Sequence, residues 1–158
     1  FYAMLDFCLK KVVNCSGKYE LDKPLVQMNS LKPNCWSQKT ILIVEDLPHN
    51  YELIEQILLP YGPKVQWARN GLEAIEYCSD THNKVDVVLM DINLPVVNGY
   101  VATKKLKALR PTLPIITQTA YSYDGEREKS IEAGSDEYLE KPLKANVVLD
   151  ALARLIKD

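Results

Sequence analysis

Asp91 closes the apolar run Val85–Met90 and opens the loop from Ile92 to Gly99. A second apolar run, Ile41–Val44, closes in the same way on Glu45 and Asp46. Two buried strands that both stop at carboxylates imply one acidic pocket at the carboxyl edge of a sheet. Carboxylates about 4 Å apart repel by about 1 kcal/mol per pair in bulk water and about 4 kcal/mol at an effective dielectric of about 20. Three in a partly shielded pocket need a compensating cation or proton. Mg²⁺ suits that role, because it prefers hard oxygen ligands and keeps several waters. For one strand, ordinary surface acids would be the better explanation; two converging strands reverse that judgement.

Three more positions fall at strand ends. Thr119 and Ala120 follow Pro114–Gln118, offering a hydroxyl beside a very small neighbour. Lys141 and Pro142 end the last strand and bring a cation to the acidic cluster, with Tyr138 three residues earlier. Each alone has a plain explanation: a strand-end cap, a surface lysine, a half-buried aromatic. Together at one sheet edge they point to phosphoryl chemistry on Asp91. A carboxylate nucleophile would receive the group, and Mg²⁺, a lysine and a hydroxyl would spread its charge.

The elements that must position these groups are legible from Thr40 onward. Short apolar runs at Ile41–Val44, Val65–Ala68, Val85–Met90, Ile115–Thr117 and Glu137–Glu140 alternate with amphipathic stretches. Continuous apolar runs flanked by helices predict strands buried on both faces, hence a parallel sheet. Leu53, Ile54, Ile57 and Leu58 form one helical stripe, and Val147, Val148, Ala151, Leu152 and Leu155 another. Leu72, Ile75 and Cys78 mark a third helix, and Ala102, Leu106 and Leu109 a fourth. The expected fold is α/β, a doubly wound five-stranded parallel sheet of five βα units, with right-handed crossovers placing helices on both faces. The crevice of such a sheet lies outside the carboxyl ends of its strands, where Glu45, Asp46 and Asp91 would stand. The stretch Tyr123–Gly134 is mostly charged, leaving Ile131 and Ala133 as apolar anchors, so a helix there would be held loosely.

Composition narrows the class. The chain has 158 residues, 47% hydrophobic and 25% charged, enough to bury a core without staples. A net charge of −2 gives no field for nucleic acid or anionic membrane, so neither nucleic-acid contact nor membrane insertion is expected. Of the four cysteines, Cys8, Cys15, Cys35 and Cys78, three fall in the first 36 residues with neither C-x-x-C spacing nor a nearby histidine, which disfavours zinc, and a domain with its own core makes a disulfide framework equally unexpected. Reduced thiols in a cytoplasmic setting are the simpler expectation. Residues 1–38 fall outside the βα rhythm and are assigned to a linker or the end of a preceding module. The first residues, Phe1, Met4, Leu5, Cys8, Leu9 and Val12, could line a short helix.

These residues closely resemble the receiver domain of two-component response regulators. The resemblance rests on Ile41–Asp46, Leu89–Tyr100, Gln118–Ala120 and Tyr138–Pro142, and runs from about Lys39 to Asp158. Asn98-Gly99-Tyr100 and Glu132–Asp136 have the flavour of receivers attached to hybrid sensor kinases. It implies a flavodoxin-like receiver fold in which Asp91 takes a phosphoryl group from a phosphohistidine on a histidine kinase or histidine phosphotransfer protein. It implies that Asp46 and Asp91 bind Mg²⁺ directly, with the Asn93 carbonyl, and that Glu45 acts through water. Lys141 would pair with phosphoryl oxygens, Thr119 would bond to one of them after transfer, and Tyr138 would report the position of Thr119. Thr119 and Tyr138 are thus the implied switch, and a homodimer could form through the fourth helix and fifth strand. The Lys141–Pro142 bond is often cis in the family, which only an X-Pro linkage tolerates readily. Glu45 stands where an aspartate is often found. Tyr121, two residues past Thr119, would overhang the acyl phosphate and hinder water.

Such a domain turns over no free metabolite; it would catalyse only its own phosphorylation and slow dephosphorylation. Two settings are expected, a stand-alone regulator or the C-terminal receiver of a hybrid kinase, whose parent could be membrane-anchored. Residues 1–39 and the absence of an initiating Met favour the second. An aspartyl-phosphate phosphatase of the haloacid dehalogenase type would need a second aspartate where Asn93 stands. A flavodoxin-like nucleotide module would need a hydroxyl- or glycine-rich loop where Glu45-Asp46-Leu47-Pro48 stands. A degenerate receiver used as a scaffold would not need the intact set Asp46, Asp91, Thr119 and Lys141.

Overall fold

Among the described residues, five strands alternate with five α-helices. In the computed structural model, which describes residues 31–120 and 125–156, the order is β1 (Thr40–Val44), α1 (Pro48–Leu58), β2 (Lys64–Ala68), α2 (Gly71–Ser79), β3 (Val87–Asp91), α3 (Gly99–Leu109), β4 (Ile115–Thr119), α4 (Glu126–Glu132), β5 (Glu137–Glu140) and α5 (Ala145–Leu155). All pairs are parallel, in the order β2-β1-β3-β4-β5. The doubly wound α/β fold expected from the periodicity is the fold observed. The first-residue helix, Cys8, Cys15 and Tyr121 lie outside the described residues.

Side chains alternate across each strand and build two cores. Ile41, Ile43, Leu89, Ile116 and Leu139 face Ile54 and Leu58 of α1 and Val148, Ala151 and Leu152 of α5. Leu42, Val44, Val88, Met90 and Ile115 face Ala74 and Cys78 of α2 and Ala102 and Leu106 of α3. Apolar cover on both faces is what a parallel sheet requires. Asn70 caps α2 by accepting from the Glu73 amide, and Asn98 caps α3 by accepting from the Val101 amide, both at 3.0 Å. Helix α1 starts instead on Pro48, whose missing N–H costs nothing in the first turn.

Several expectations need correcting. β3 begins at Val87 rather than Val85. Asp86 leaves the strand pattern because its carboxylate accepts the Thr40 amide at 2.7 Å while its own amide donates to the Thr40 carbonyl at 2.8 Å. The helical stripes are narrower than the apolar pattern, with Leu53, Leu72, Leu109 and Val147 exposed. Within the stretch Tyr123–Gly134, whose first two residues lie outside the described ones, helix α4 spans Glu126–Glu132 and turns Ser130 inward while Ile131 is 59% exposed. Burial of Ser130 is tolerated because its hydroxyl donates to the Glu126 carbonyl at 3.0 Å. Ala133 is buried as expected.

Residues 31–38, assigned above to a linker, pack on the domain. Trp36 is 5% exposed within the α1/α5 core, its ring 5.3 Å from that of Tyr61. The Trp36 amide donates to the Tyr61 carbonyl at 3.0 Å. Deleting a buried aromatic of this size costs about 3–5 kcal/mol. Trp36→Ala is therefore expected to lower the unfolding free energy, read by urea titration, by that amount, whereas substitution of an independent linker residue would leave it unchanged.

Candidate functional site

The sheet order brings β1 and β3 side by side, so the chain turns at Glu45-Asp46 and at Asp91 emerge next to each other. One carboxylate oxygen from each of Glu45, Asp46 and Asp91 lies within 4.8 Å of the others. The opening expectation of a single acidic pocket is thus met in geometry. Lys141 enters it from β5, its Nζ donating to Asp91 Oδ2 at 2.6 Å and to Glu45 Oε2 at 2.8 Å. The Lys141 amide donates to the Thr119 carbonyl at 2.7 Å, and the Lys141–Pro142 bond is cis.

Asp91 is pinned from the other side. The Asn93 amide donates to Asp91 Oδ1 at 3.0 Å. An ideal Cβ on Gly99 would lie 2.1 Å from the Asp91 carbonyl oxygen, so only glycine lets the start of α3 press on this strand end. Between them Val96, 77% exposed, adopts φ 66°, with the Val97 amide donating to the Pro95 carbonyl at 2.7 Å. A β-branched residue in that region is strained, and strain of this kind concentrates at functional loops.

Glu45 is held more tightly than the sequence suggests. Its side chain is fully buried. Oε1 accepts from Asn50 Nδ2 at 3.0 Å and from the Leu47 amide at 3.4 Å. Its carbonyl accepts the Trp67 indole N–H at 2.8 Å. Burial pushes the Glu45 carboxyl above its usual range and the Asp91 charge adds to that, while Lys141 and Asn50 pull against it. Burial pulls Lys141 down, but bonds to Asp91 and Glu45 outweigh it and keep the ammonium charged. Asn50 and Trp67 were not singled out from the sequence. Asn50, one helical turn beyond the acidic pair, is the one whose spacing could have been noticed.

Thr119 is buried at the end of β4, and Tyr138 sits in β5 opposite Thr117. The register places Thr117, Thr119 and Tyr138 on the same sheet face, the one turned toward α4. Burial pushes the Tyr138 hydroxyl up, with the charges of Glu140, Glu126 and Glu128 adding to it. Helix α4 is less loose at its start than its composition implies. Tyr100 of α3 donates to Glu126 Oε2 at 2.5 Å, and burial followed by that carboxylate holds its hydroxyl far above the usual tyrosine value.

The model of the response regulator receiver domain matches residues 41–153. The chain belongs to this family. The sensor histidine kinase RcsC of Escherichia coli K12 is 35% identical over 112 residues, 71% of this chain and 12% of RcsC. The match thus spans about an eighth of that relative's length. Two-component response regulator 24 of Arabidopsis thaliana is 34% identical, covering 75% of this chain and 85% of the plant protein. Among solved structures, the receiver domain of sensor histidine kinase PA1611 from Pseudomonas aeruginosa PAO1, with a magnesium ion coordinated in its active site cleft, is 37% identical. It superposes with a TM-score of 0.68 over 75% of this chain and 97% of its own. Receiver membership gives no support to the phosphatase alternative. No helix among the described residues is long and apolar enough to cross a membrane.

A pH prediction follows for the metal-free protein. The raised folded pKa means that Glu45 binds a proton more readily folded than unfolded, so its contribution to stability falls as pH rises through that window. Glu45→Gln mimics the neutral form. In chelator-treated buffer the variant is expected to unfold at higher urea than the native protein at pH 7. The gap should close below the ordinary glutamate value of 4.5. An equal or lower midpoint at pH 7 would contradict it.

Proposed function

We propose that this receiver domain takes a phosphoryl group from a phosphohistidine onto Asp91, with Mg²⁺, and changes conformation to pass a signal. The observation that carries the reading is the Lys141 ammonium, bonded at once to Asp91 and Glu45 beside Asp46. The donor set fits the ion, being hard carboxylate oxygens crowded around one lysine. Asp46 and Asp91 would hold it, with the Asn93 carbonyl, and Glu45 through water. When bound, it supplies charge that offsets the phosphoryl oxygens. The magnesium-bearing relative from Pseudomonas aeruginosa supports the same assignment.

In the transfer, an Asp91 carboxylate oxygen forms a bond to phosphorus as the phosphorus–nitrogen bond of the donor imidazole breaks, and the freed imidazole keeps the electron pair. The Asn93 amide orients the nucleophile through Oδ1. Lys141 would exchange its bond to Asp91 Oδ2 for one to a phosphoryl oxygen, a small movement for a flexible ammonium. Thr119 would then bond to another phosphoryl oxygen, and Tyr138 would follow it, biasing α4 and β5. The intact set Asp46, Asp91, Thr119 and Lys141 favours this over a scaffold without phosphorylation.

The partner class is a histidine kinase or histidine phosphotransfer protein. A sensor histidine kinase that carries a similar segment, and a two-component response regulator matched over 85% of its length, support it. A cytoplasmic setting suits these partners, and the exposed α4–β5 face with Ile131 is a candidate for self-association. We include residues 31–38 with the receiver unit, on the burial of Trp36.

Incubation with a small phosphodonor such as acetyl phosphate is expected to label the native protein only when Mg²⁺ is present. Asp91→Asn should lose the label, and Thr119→Ala should retain it. Label that survives Asp91→Asn, or that ignores chelator, would reject Asp91 as the acceptor.

A further inference from the structure

Trp67 makes a contact that receiver chemistry does not require. It lies in β2 opposite Ile43 of β1, and its side chain folds over the end of that neighbouring strand. Its indole Nε1 donates to the Glu45 carbonyl at 2.8 Å. The Glu45 amide donates to the Ala68 carbonyl at 3.0 Å, so the residue is bonded from β2 on both sides of its backbone. The Glu45 carbonyl and the Asp46 amide belong to one planar unit. Fixing that carbonyl therefore fixes the direction in which Asp46 leaves the strand.

The indole is itself locked. Tyr51 of α1 stacks on it with centroids 4.3 Å apart and planes 10° from parallel. The guanidinium of Arg69 covers it at 4.8 Å from the ring centroid. The Tyr51 hydroxyl donates to Glu55 Oε1 at 2.6 Å, which holds the lower layer of the stack. A tryptophan needed only for packing would be served by its ring area; here its one polar atom is aimed at the backbone between two of the three pocket acids.

We infer that Trp67 is a positioning residue for the cation site: the indole N–H, braced by Tyr51 and Arg69, sets the Glu45–Asp46 peptide so that both carboxylates converge with Asp91. This rests on the reading of the pocket as a Mg²⁺ site. Groups that orient a metal's ligands from outside tune its affinity, and loss of one leaves the ligands present but misdirected.

The test is titration with MgCl₂ alone, followed by calorimetry for the native protein and for Trp67→Phe, which keeps a ring for the stack but loses the donor. A lost hydrogen bond of this kind predicts Mg²⁺ binding weakened about three- to tenfold. Asp46→Ala should abolish binding. The chain has two tryptophans. In a Trp36→Phe background, under excitation selective for tryptophan, the emission comes from Trp67 and is expected to shift as Mg²⁺ saturates the site. Tyr51→Leu, which leaves the N–H but removes the brace, should weaken binding less than Trp67→Phe does. A Trp67→Phe protein that unfolds at lower urea yet binds Mg²⁺ as the native chain does would show a packing role only and overturn the inference. An unmoved Trp67 emission at saturating Mg²⁺ would overturn it as well. Absence of Mg²⁺ binding by the native protein, or binding that survives Asp46→Ala, would instead reject the cation site itself.

Discussion

One ammonium group holds the functional edge together. Lys141 leaves β5, crosses above the end of β4 and meets Asp91 from β3 and Glu45 from β1. Its backbone is anchored to the intervening strand through the Thr119 carbonyl, so the span is covered by the side chain alone. A four-carbon stem is what makes that reach possible, and an ammonium with three donors can serve two carboxylates at once. Without it, Glu45 and Asp91 would keep like charges in a shielded pocket, and breaking such a buried pair typically costs about 3–5 kcal/mol. The arrangement also leaves a residual demand. Three carboxylates and one lysine remain short of positive charge, and of the three acids Asp46 is the one that stands half-buried.

Much of this edge was legible because strand-end chemistry is a property of sequence position. Once Ile41–Val44 and Val85–Met90 are read as neighbouring buried strands, the residues that follow each of them must emerge together. Lys141 and Thr119 follow by the same logic from the fourth and fifth strands. What escaped were contacts that run across the pattern. The Trp67 indole bonds backward onto an adjacent strand, and Asn50 reaches back from a helix to the acid that precedes it. Neither changes apolar periodicity, and each depends on a crossing geometry that only the packed structure specifies. The bonds that hold Glu45, from Lys141 on one oxygen and from the Asn50 amide on the other, were likewise not readable from spacing.

The helix boundaries failed for a different reason. Leu53, Leu72, Leu109 and Val147 satisfy helical spacing but are exposed to water, while other members of their stripes are buried. Such scattered exposed apolar residues are ordinary and mark no error in the fold assignment. Ser130 inverted the reading of α4 because a serine can bury its hydroxyl against its own helix carbonyl, which hydropathy counts as polar exposure. The burial of Trp36 could not be read ahead because a single aromatic outside any periodic run gives no phase.

The two faces around Asp91 are built unequally, and that inequality bears on how a signal would leave. Toward α1 the site is braced by Asn50, Trp67, Tyr51 and Arg69, with bonds to both backbone and side chain of Glu45. Toward α4 it is bounded by Thr119 and Tyr138 and by a seven-residue helix whose exposed Ile131 contributes little burial. The polar tie of that helix to α3 runs through one side chain, the Tyr100 hydroxyl, which bonds to Glu126 and meets Ser130. Close-packed regions resist small displacements, whereas elements with few buried apolar contacts open at low cost. A phosphoryl group arriving on Asp91 would therefore displace the α4 side while the α1 side kept its geometry. The braced face would preserve the chemistry, and the thinly held face would carry the change outward.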